Sequence, residues 1–120
     1  MFPTGPSPIY LLLSSLAGCE VILIRLVAKQ KNVQIGEVKI QVNGELDPKA
    51  FENLEIFSGF QTIEVQLKLE CEADDKIIQE IVDLAEKTCP ITNMFGTHPK
   101  IKFTSKWERL SKSNQDEKQN

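Results

Sequence analysis

Three cysteines, Cys19, Cys71 and Cys89, are the residues whose side chains could carry nucleophilic or redox chemistry. They are an odd number at wide spacing, which is not the pattern of a disulfide framework, and the chain has a single histidine, His98. Because structural zinc sites need clustered Cys and His ligands, we predict no metal and no cofactor. Free thiols in a protein of this size indicate a reducing compartment, so we expect a cytoplasmic protein.

The three thiols differ in their local sequence. Cys71 ends a run of alternating aliphatic residues, which is typical of a small side chain packed in a core. Cys19 lies in the middle of an apolar segment and, taken alone, is also explained by packing. Cys89 precedes Pro90 at the predicted end of a helix, where free backbone amides lower a thiol pKa and raise the reactive thiolate fraction. Spacing alone leaves a structural and a redox role open for both Cys19 and Cys89.

The composition of the 120-residue chain is that of an ordinary globular protein, with 41% hydrophobic and 26% charged residues. This length forms about one domain and can bury a core without disulfides, and we predict a single domain over residues 1–110. The sequence SKSNQDEKQN of residues 111–120 cannot pack, which predicts a disordered tail. The net charge of −3 argues against nucleic-acid binding, which needs clustered Lys and Arg.

Residues 9–28 (IYLLLSSLAGCEVILIRLVA) are apolar enough to imitate a membrane anchor, and residues 16–19 (LAGC) imitate a lipoprotein cleavage box. Three features argue against export. No Lys or Arg precedes Arg25, so the positive region of a signal peptide is missing. The residues after Cys19 stay apolar, and Glu20 and Arg25 would each cost several kcal/mol inside a membrane. We therefore expect a buried helix of a soluble protein and no membrane partner.

Hydrophobic spacing predicts an α+β fold in the order helix, strand, strand, helix, short helix, strand, with an antiparallel sheet. Ser7 caps a first helix that starts at Pro8, runs to about Lys31 and is apolar almost all round, as in a central, buried helix. Gly18 in mid-helix indicates close approach of another backbone. The further elements are strands over 33–42, with a bulge at Gly36, and 63–71, a helix over 74–89, a helical turn over 91–95 and a strand over 101–107.

Two segments resemble the cysteine motifs of the OsmC/Ohr family (osmotically inducible protein C and organic hydroperoxide resistance proteins). Residues 5–19 (GPSPIYLLLSSLAGC) resemble a turn of small residues and prolines that enters a long helix bearing the reactive cysteine. Residues 85–93 (AEKTCPITN) resemble the second motif, a helix-terminal Cys-Pro followed by a hydrophobic residue, Ser or Thr, and often Asn. The resemblance covers about residues 5–107 and implies the OsmC-like fold.

The resemblance also implies a thiol-dependent function against organic hydroperoxides. By analogy, Cys19 is the peroxidatic thiolate that attacks the O–O bond and becomes a sulfenic acid. Cys89 then resolves it as a Cys19–Cys89 disulfide, which an external dithiol reduces. Family members are intertwined homodimers, so we expect a homodimer burying well above about 1,000 Å² in total. We also expect the Cα atoms of the two cysteines to lie within about 7 Å of each other.

Two departures from the family bear on activity. Family proteins carry additional strands before the proline turn, and these supply the Arg that polarises the reactive thiolate, so the resemblance implies an N-terminally short member. The Glu expected just after the turn is replaced by Ile9 and Tyr10, and neither Arg25 nor Arg109 is placed by its spacing to reach Cys19. A buried thiol without a nearby cation has a raised pKa and low reactivity. Thiol peroxidase activity is therefore left open, and the alternative is a non-catalytic protein of the same fold that binds a small apolar ligand.

Overall fold

The computed structural model of the protein describes residues 7–110. Within this range the chain forms α1 (Pro8–Gln30), β1 (Val38–Glu45), β2 (Thr62–Leu69), α2 (Asp75–Thr88), α3 (Pro90–Gly96) and β3 (Lys102–Arg109). The predicted α+β class and element order are confirmed. A 3-10 turn over Pro48–Phe51, which the sequence analysis did not predict, lies between β1 and β2. The tail predicted over residues 111–120 lies outside the described residues.

The first helix begins and ends where its local sequence dictates. Ser7 is extended, and its Oγ accepts a hydrogen bond from the backbone N–H of Ile9 at 3.2 Å. Pro8 takes the first helical position, where its missing N–H leaves no helix bond unmade. At the other end Asn32 adopts a left-handed conformation with φ of 58°, a conformation that stops a helix. The predicted cap and the predicted length of α1 are both confirmed.

The sheet is mixed, with the strand order β1-β2-β3. β1 and β2 are antiparallel, as expected from the sequence, and their register places Val42 opposite Val65. β2 and β3 are parallel, with Leu67 opposite Trp107, so the expectation of a wholly antiparallel sheet is wrong. The physical reason is the connection: α2 and α3 carry the chain back across the sheet, and a strand that follows such a crossover runs parallel to the one before it.

Two predicted strand boundaries are also corrected. β1 begins only at Val38, so Gly36 precedes the strand and forms no bulge in it. The Gly36 N–H still donates to the Glu70 carbonyl oxygen at 2.8 Å. The hydrogen bonding between the two segments therefore continues beyond the end of the β1–β2 ladder. β2 ends at Leu69, so Cys71 lies just beyond the strand, half-buried against the core.

The core lies between one face of the sheet and the helices α1 and α2. The inward residues of β2 alternate, as the sequence predicted, and each is fully buried. α1 and α2 contribute their buried faces at helical spacing. The side chains that fill this core are Leu13, Leu16, Ile24, Val27, Ala28, Phe60, Ile63, Val65, Leu67, Leu69, Ile78, Ile81, Val82 and Ala85. Full burial of an aliphatic side chain of this size stabilises the fold by about 1.5–3 kcal/mol.

α1 is buried along one face only, so the prediction of a helix buried all round is not met within one chain. Leu11, Ile22 and Leu26 are 52%, 62% and 50% exposed on its outer face. Gly18 lies on that face too, and nothing in the described chain lies within 4 Å of a methyl group built there. α1 is long and apolar enough to cross a membrane, a criterion that the core helix of a soluble protein also meets.

Candidate thiol redox site

The two cysteines of the paired motifs meet in the structure. Cys19 Sγ and Cys89 Sγ lie 2.9 Å apart, and both thiols are free. A disulfide requires about 2.05 Å between the sulfur atoms, so bond formation needs less than an ångström of approach. Cys19 projects from the middle of α1 and is partly exposed, whereas Cys89 is fully buried. The contact confirms that the two cysteines converge, while the predicted Cα separation and the redox role of the pair stay predictions.

The Cys89 sulfur is positioned by the break between α2 and α3. Cys89 is extended and serves as the last cap of α2 and the first cap of α3, with Pro90 opening the second helix. Its Sγ accepts a hydrogen bond from the backbone N–H of Thr92 at 3.4 Å. The Asn93 side chain donates to the carbonyl oxygens of Lys87 and Cys89, both at 2.8 Å, which satisfies orphan carbonyls at the end of α2. The motif Cys-Pro-x-Thr-Asn therefore builds one rigid corner around the sulfur.

A buried carboxyl group adjoins the thiol pair, and it is not among the site residues predicted from the sequence. Glu20, the residue after Cys19, is 0% exposed. Its Oε2 accepts a hydrogen bond from Thr92 Oγ1 at 2.9 Å, while its Oε1 has no hydrogen-bond partner among the described residues. Burial and the nearby Glu86 carboxylate raise the pKa of Glu20 to about 7. Its helical phase was the available signal, since Leu16 and Ile24 of the buried face stand four residues on either side.

The electrostatic surroundings of Cys19 disfavour its thiolate. Burial raises the pKa of Cys19 to about 11, with further contributions from Cys89 and from the charge of Glu20. The backbone N–H of Ile91 acts in the opposite direction without cancelling them. A thiol with this pKa is ionised in only about one molecule in ten thousand at pH 7.

The two arginines singled out in the sequence are engaged elsewhere. Arg25 Nη2 donates to the Gly36 carbonyl oxygen at 2.9 Å. Arg109 Nη2 forms an ion pair with Asp75 Oδ1 at 2.6 Å, and its Nη1 donates to the Cys71 carbonyl oxygen. The expectation that neither residue serves Cys19 agrees with these contacts.

Two further features complete the surroundings. Beside the thiol corner, a shallow groove of about 360 Å³ is lined by Glu86, Thr92, Asn93 and Phe103, among others. Within residues 7–110 the structure contains no cluster of three or more His, Cys, Asp or Glu residues that could hold a metal ion.

Comparison with known proteins places this geometry in a family. Residues 2–104 match the family described as OsmC-like protein. No curated protein matches the sequence. Among solved structures, the chain is similar to the OsmC-like protein from Mycoplasma pneumoniae, at 23% identity and a TM-score of 0.82, covering 90% of this chain and 74% of that one.

Two organic hydroperoxide resistance proteins also share the fold. OhrB of Bacillus subtilis is 26% identical with a TM-score of 0.59, covering 88% of this chain and 72% of that one. The protein from Legionella pneumophila is 20% identical with a TM-score of 0.60, covering 86% of this chain and 72% of that one. The family match spans most of the chain, and it agrees with the helix-borne cysteine that meets a Cys-Pro corner. The chain belongs to the OsmC-like family.

Proposed function

We propose that the protein is a thiol peroxidase that reduces organic hydroperoxides, with Cys19 as the attacking thiol and Cys89 as the resolving thiol. The observation that carries the proposal is the contact of 2.9 Å between the two sulfur atoms. The unequal exposure of the thiols supports their assignment, because the attacking sulfur must meet substrate and the resolving sulfur need only meet Cys19. Membership of a family that includes organic hydroperoxide resistance proteins supports the substrate class.

The proposed cycle balances in atoms and electrons. The Cys19 thiolate attacks the outer oxygen of the hydroperoxide, the O–O bond breaks, and the alkoxide leaves and takes up a proton as the alcohol. Cys19 is then a sulfenic acid. The Cys89 sulfur attacks the Cys19 sulfur, the S–O bond breaks, and hydroxide leaves as water with the proton that Cys89 gives up. An external dithiol reduces the resulting disulfide by exchange and becomes oxidised itself.

The high pKa of Cys19 sets the expected speed of this reaction. Only the thiolate attacks the peroxide, and its share at pH 7 is about one in ten thousand, so turnover is slow unless a cation approaches the sulfur. Among the described residues, Arg25 and Arg109 are held by other groups.

We further propose that the protein acts as a homodimer in which the outer face of α1 meets a second copy. Three large apolar side chains of that face, Leu11, Ile22 and Leu26, are half or more exposed in the single chain. Gly18 lies among them with open space over its Cα atom, which permits close approach of another backbone. A stable dimer requires about 1,200 Å² or more of total buried surface.

A second candidate function is supported by the same high pKa. If Cys19 stays a neutral thiol, the protein is a non-catalytic member of the fold that binds a small apolar ligand beside the exposed face of α1. In both cases we propose a cytoplasmic location, because reduced thiols persist in a reducing compartment.

Peroxide consumption separates the two functions. Reduced protein is mixed with cumene hydroperoxide and a dithiol, and loss of hydroperoxide is followed for the wild type, Cys19→Ser and the matched control Cys71→Ser. The peroxidase proposal expects loss of activity in Cys19→Ser and wild-type activity in Cys71→Ser. Equal, slow consumption by all three proteins would reject it in favour of the apolar-ligand function.

A further inference from the structure

The proposed cycle does not use the buried carboxyl group of Glu20 or the half-buried carboxyl group of Glu86. Glu20 is fully enclosed between α1, α2 and α3, and Glu86 of α2 lies beside it and borders the groove next to Thr92. Each of the two side chains leaves one buried oxygen, Glu20 Oε1 and Glu86 Oε2, without a hydrogen-bond partner among the described residues. Carboxylate oxygens only accept hydrogen bonds, so two ionised carboxylates cannot satisfy each other.

A single proton resolves this conflict. When one of the two carboxyl groups keeps its proton, it becomes a donor to the other and removes one of two like charges from a buried site. Burial and the neighbouring carboxylate raise the pKa of Glu20 to about 7, and burial also raises the pKa of Glu86. Both shifts favour retention of the proton near neutral pH.

Thr92 connects this carboxyl pair to the thiols. Its Oγ1 donates to Glu20 Oε2 at 2.9 Å, while its backbone N–H donates to Cys89 Sγ at 3.4 Å. Glu20 is also the chain neighbour of Cys19, and its negative charge disfavours the Cys19 thiolate. Glu20 is therefore connected to both thiols: its charge acts on Cys19, and Thr92 links it by two hydrogen bonds to the Cys89 sulfur.

We propose that Glu20 is a positioning residue for the thiol pair and that the proton it shares with Glu86 governs how readily Cys19 reacts. The proposal deepens the proposed function, since it rests on Cys19 as the reacting thiol. While the pair holds its proton, Glu20 is neutral and leaves the Cys19 thiolate undisturbed. Once the proton is lost, the negative charge of Glu20 disfavours formation of the Cys19 thiolate and lowers the rate at which Cys19 reacts.

The charged and titratable groups around Glu20 are few. On α1 its neighbour is Cys19, and α2 presents Glu86, with Asp83 behind it adding to the raised pKa of Glu86. α3 presents the uncharged Thr92, and β3 presents the Ser105 hydroxyl to Glu86. No Lys or Arg is among the described groups that act on the Glu20 carboxyl. We therefore assign the loss of a proton near neutral pH at this site to the pair Glu20 and Glu86.

The test is the rate of alkylation of Cys19 by iodoacetamide as a function of pH, followed by peptide mass spectrometry in a Cys71→Ser background. At pH values below its pKa, a lone thiol reacts about tenfold faster for each unit by which the pH is raised. In the otherwise unchanged protein this rise should flatten near pH 7, where Glu20 loses its proton. In Glu20→Gln the rise should stay steep, so the variant should match its parent at about pH 5.5 and exceed it about threefold at about pH 8.5.

Two further variants complete the test. Glu86→Gln should move the flattening to lower pH, because its carboxylate raises the pKa of Glu20. The exposed Glu52→Gln should leave the profile unchanged and controls for a general loss of charge. Infrared spectra of the folded wild type at about pH 6 should contain the carbonyl band of a protonated carboxyl group, and this band should disappear as the pH rises through about 7. Because it needs only the wild type, this measurement tests the proposal even if Glu20→Gln weakens folding.

The outcomes separate the two proposals. Parallel profiles for the parent and Glu20→Gln, or the absence of the carbonyl band, would overturn the role of Glu20 even if the protein consumes peroxide. A flattened profile that depends on Glu20, in a protein without peroxide consumption, would support the role of Glu20 and reject the peroxidase function.

Discussion

Replacement of Glu20 by glutamine should change how the stability of the fold depends on pH. Glu20 is fully buried, and its pKa is raised from an ordinary 4.5 to about 7. Between these two values the folded protein keeps a proton that the unfolded chain has lost, so the free energy of unfolding falls as pH rises. Below about pH 4.5 and well above pH 7, Glu20 has the same charge in both states and the dependence ends.

The magnitude follows from the size of the pKa change. Each pKa unit corresponds to 1.36 kcal/mol, so Glu20 should cost the wild type about 3 kcal/mol of stability between about pH 4.5 and about pH 8. Glutamine has nearly the same shape, accepts the Thr92 hydrogen bond and carries no proton to lose. The stability of Glu20→Gln relative to the wild type should therefore rise by about 3 kcal/mol over this range.

Urea denaturation at about pH 5, 6, 7 and 8 measures the effect. The exposed Glu52→Gln is the control, and its stability should stay parallel to the wild type at every pH. A constant difference between Glu20→Gln and the wild type across the range would refute the reasoning, because it would mean that Glu20 ionises in the fold as it does in the unfolded chain.

Substitutions at three other positions test the packing of the site and of the outer face of α1. Thr92→Val removes the hydroxyl that donates to buried Glu20 and should lower the free energy of unfolding, measured by urea denaturation, by about 1–3 kcal/mol. Thr92→Ser retains a hydroxyl and should keep most of the wild-type stability. Asn93→Ala should lower it by about 1–2 kcal/mol and slow disulfide formation, because it frees carbonyl groups at the α2–α3 corner. Gly18→Ala should stabilise a monomer by up to about 1 kcal/mol but weaken a dimer that packs closely over Gly18, so sedimentation at several concentrations decides between the two.

The sequence was sufficient for the order of the helices and strands, and its resemblance to a known family indicated the pair of cysteines. Strict alternation over Ile63 to Leu69 and the Ser7-Pro8 cap are local signals, and both predicted their elements correctly. Direction of pairing is not local, since the parallel position of β3 depends on the crossover through α2 and α3. The prediction that α1 is buried on all sides was wrong for the single chain. An apolar helix face indicates that something packs against it, but it does not specify whether the packing residues belong to the same molecule.

The carboxyl group beside the thiols was missed for a similar reason. A glutamate in an apolar helix was interpreted as an argument against a membrane span, although its spacing from Leu16 and Ile24 places it on the buried face. Its partner Thr92 is 72 residues away in sequence, and only the packed chain brings the two together. The sequence could indicate that Glu20 is buried, but it could not identify the group that satisfies it.

The central claim is that Cys19 and Cys89 form a working redox pair, and disulfide mapping tests it most directly. Reduced protein is treated with one equivalent of cumene hydroperoxide, alkylated and digested, and the linked peptides are identified by mass spectrometry. The account predicts a Cys19–Cys89 disulfide in the wild type and a dimedone-trapped sulfenic acid on Cys19 in Cys89→Ser. Recovery of both cysteines as free thiols after the peroxide has been offered, or oxidation of Cys71 alone, would contradict it.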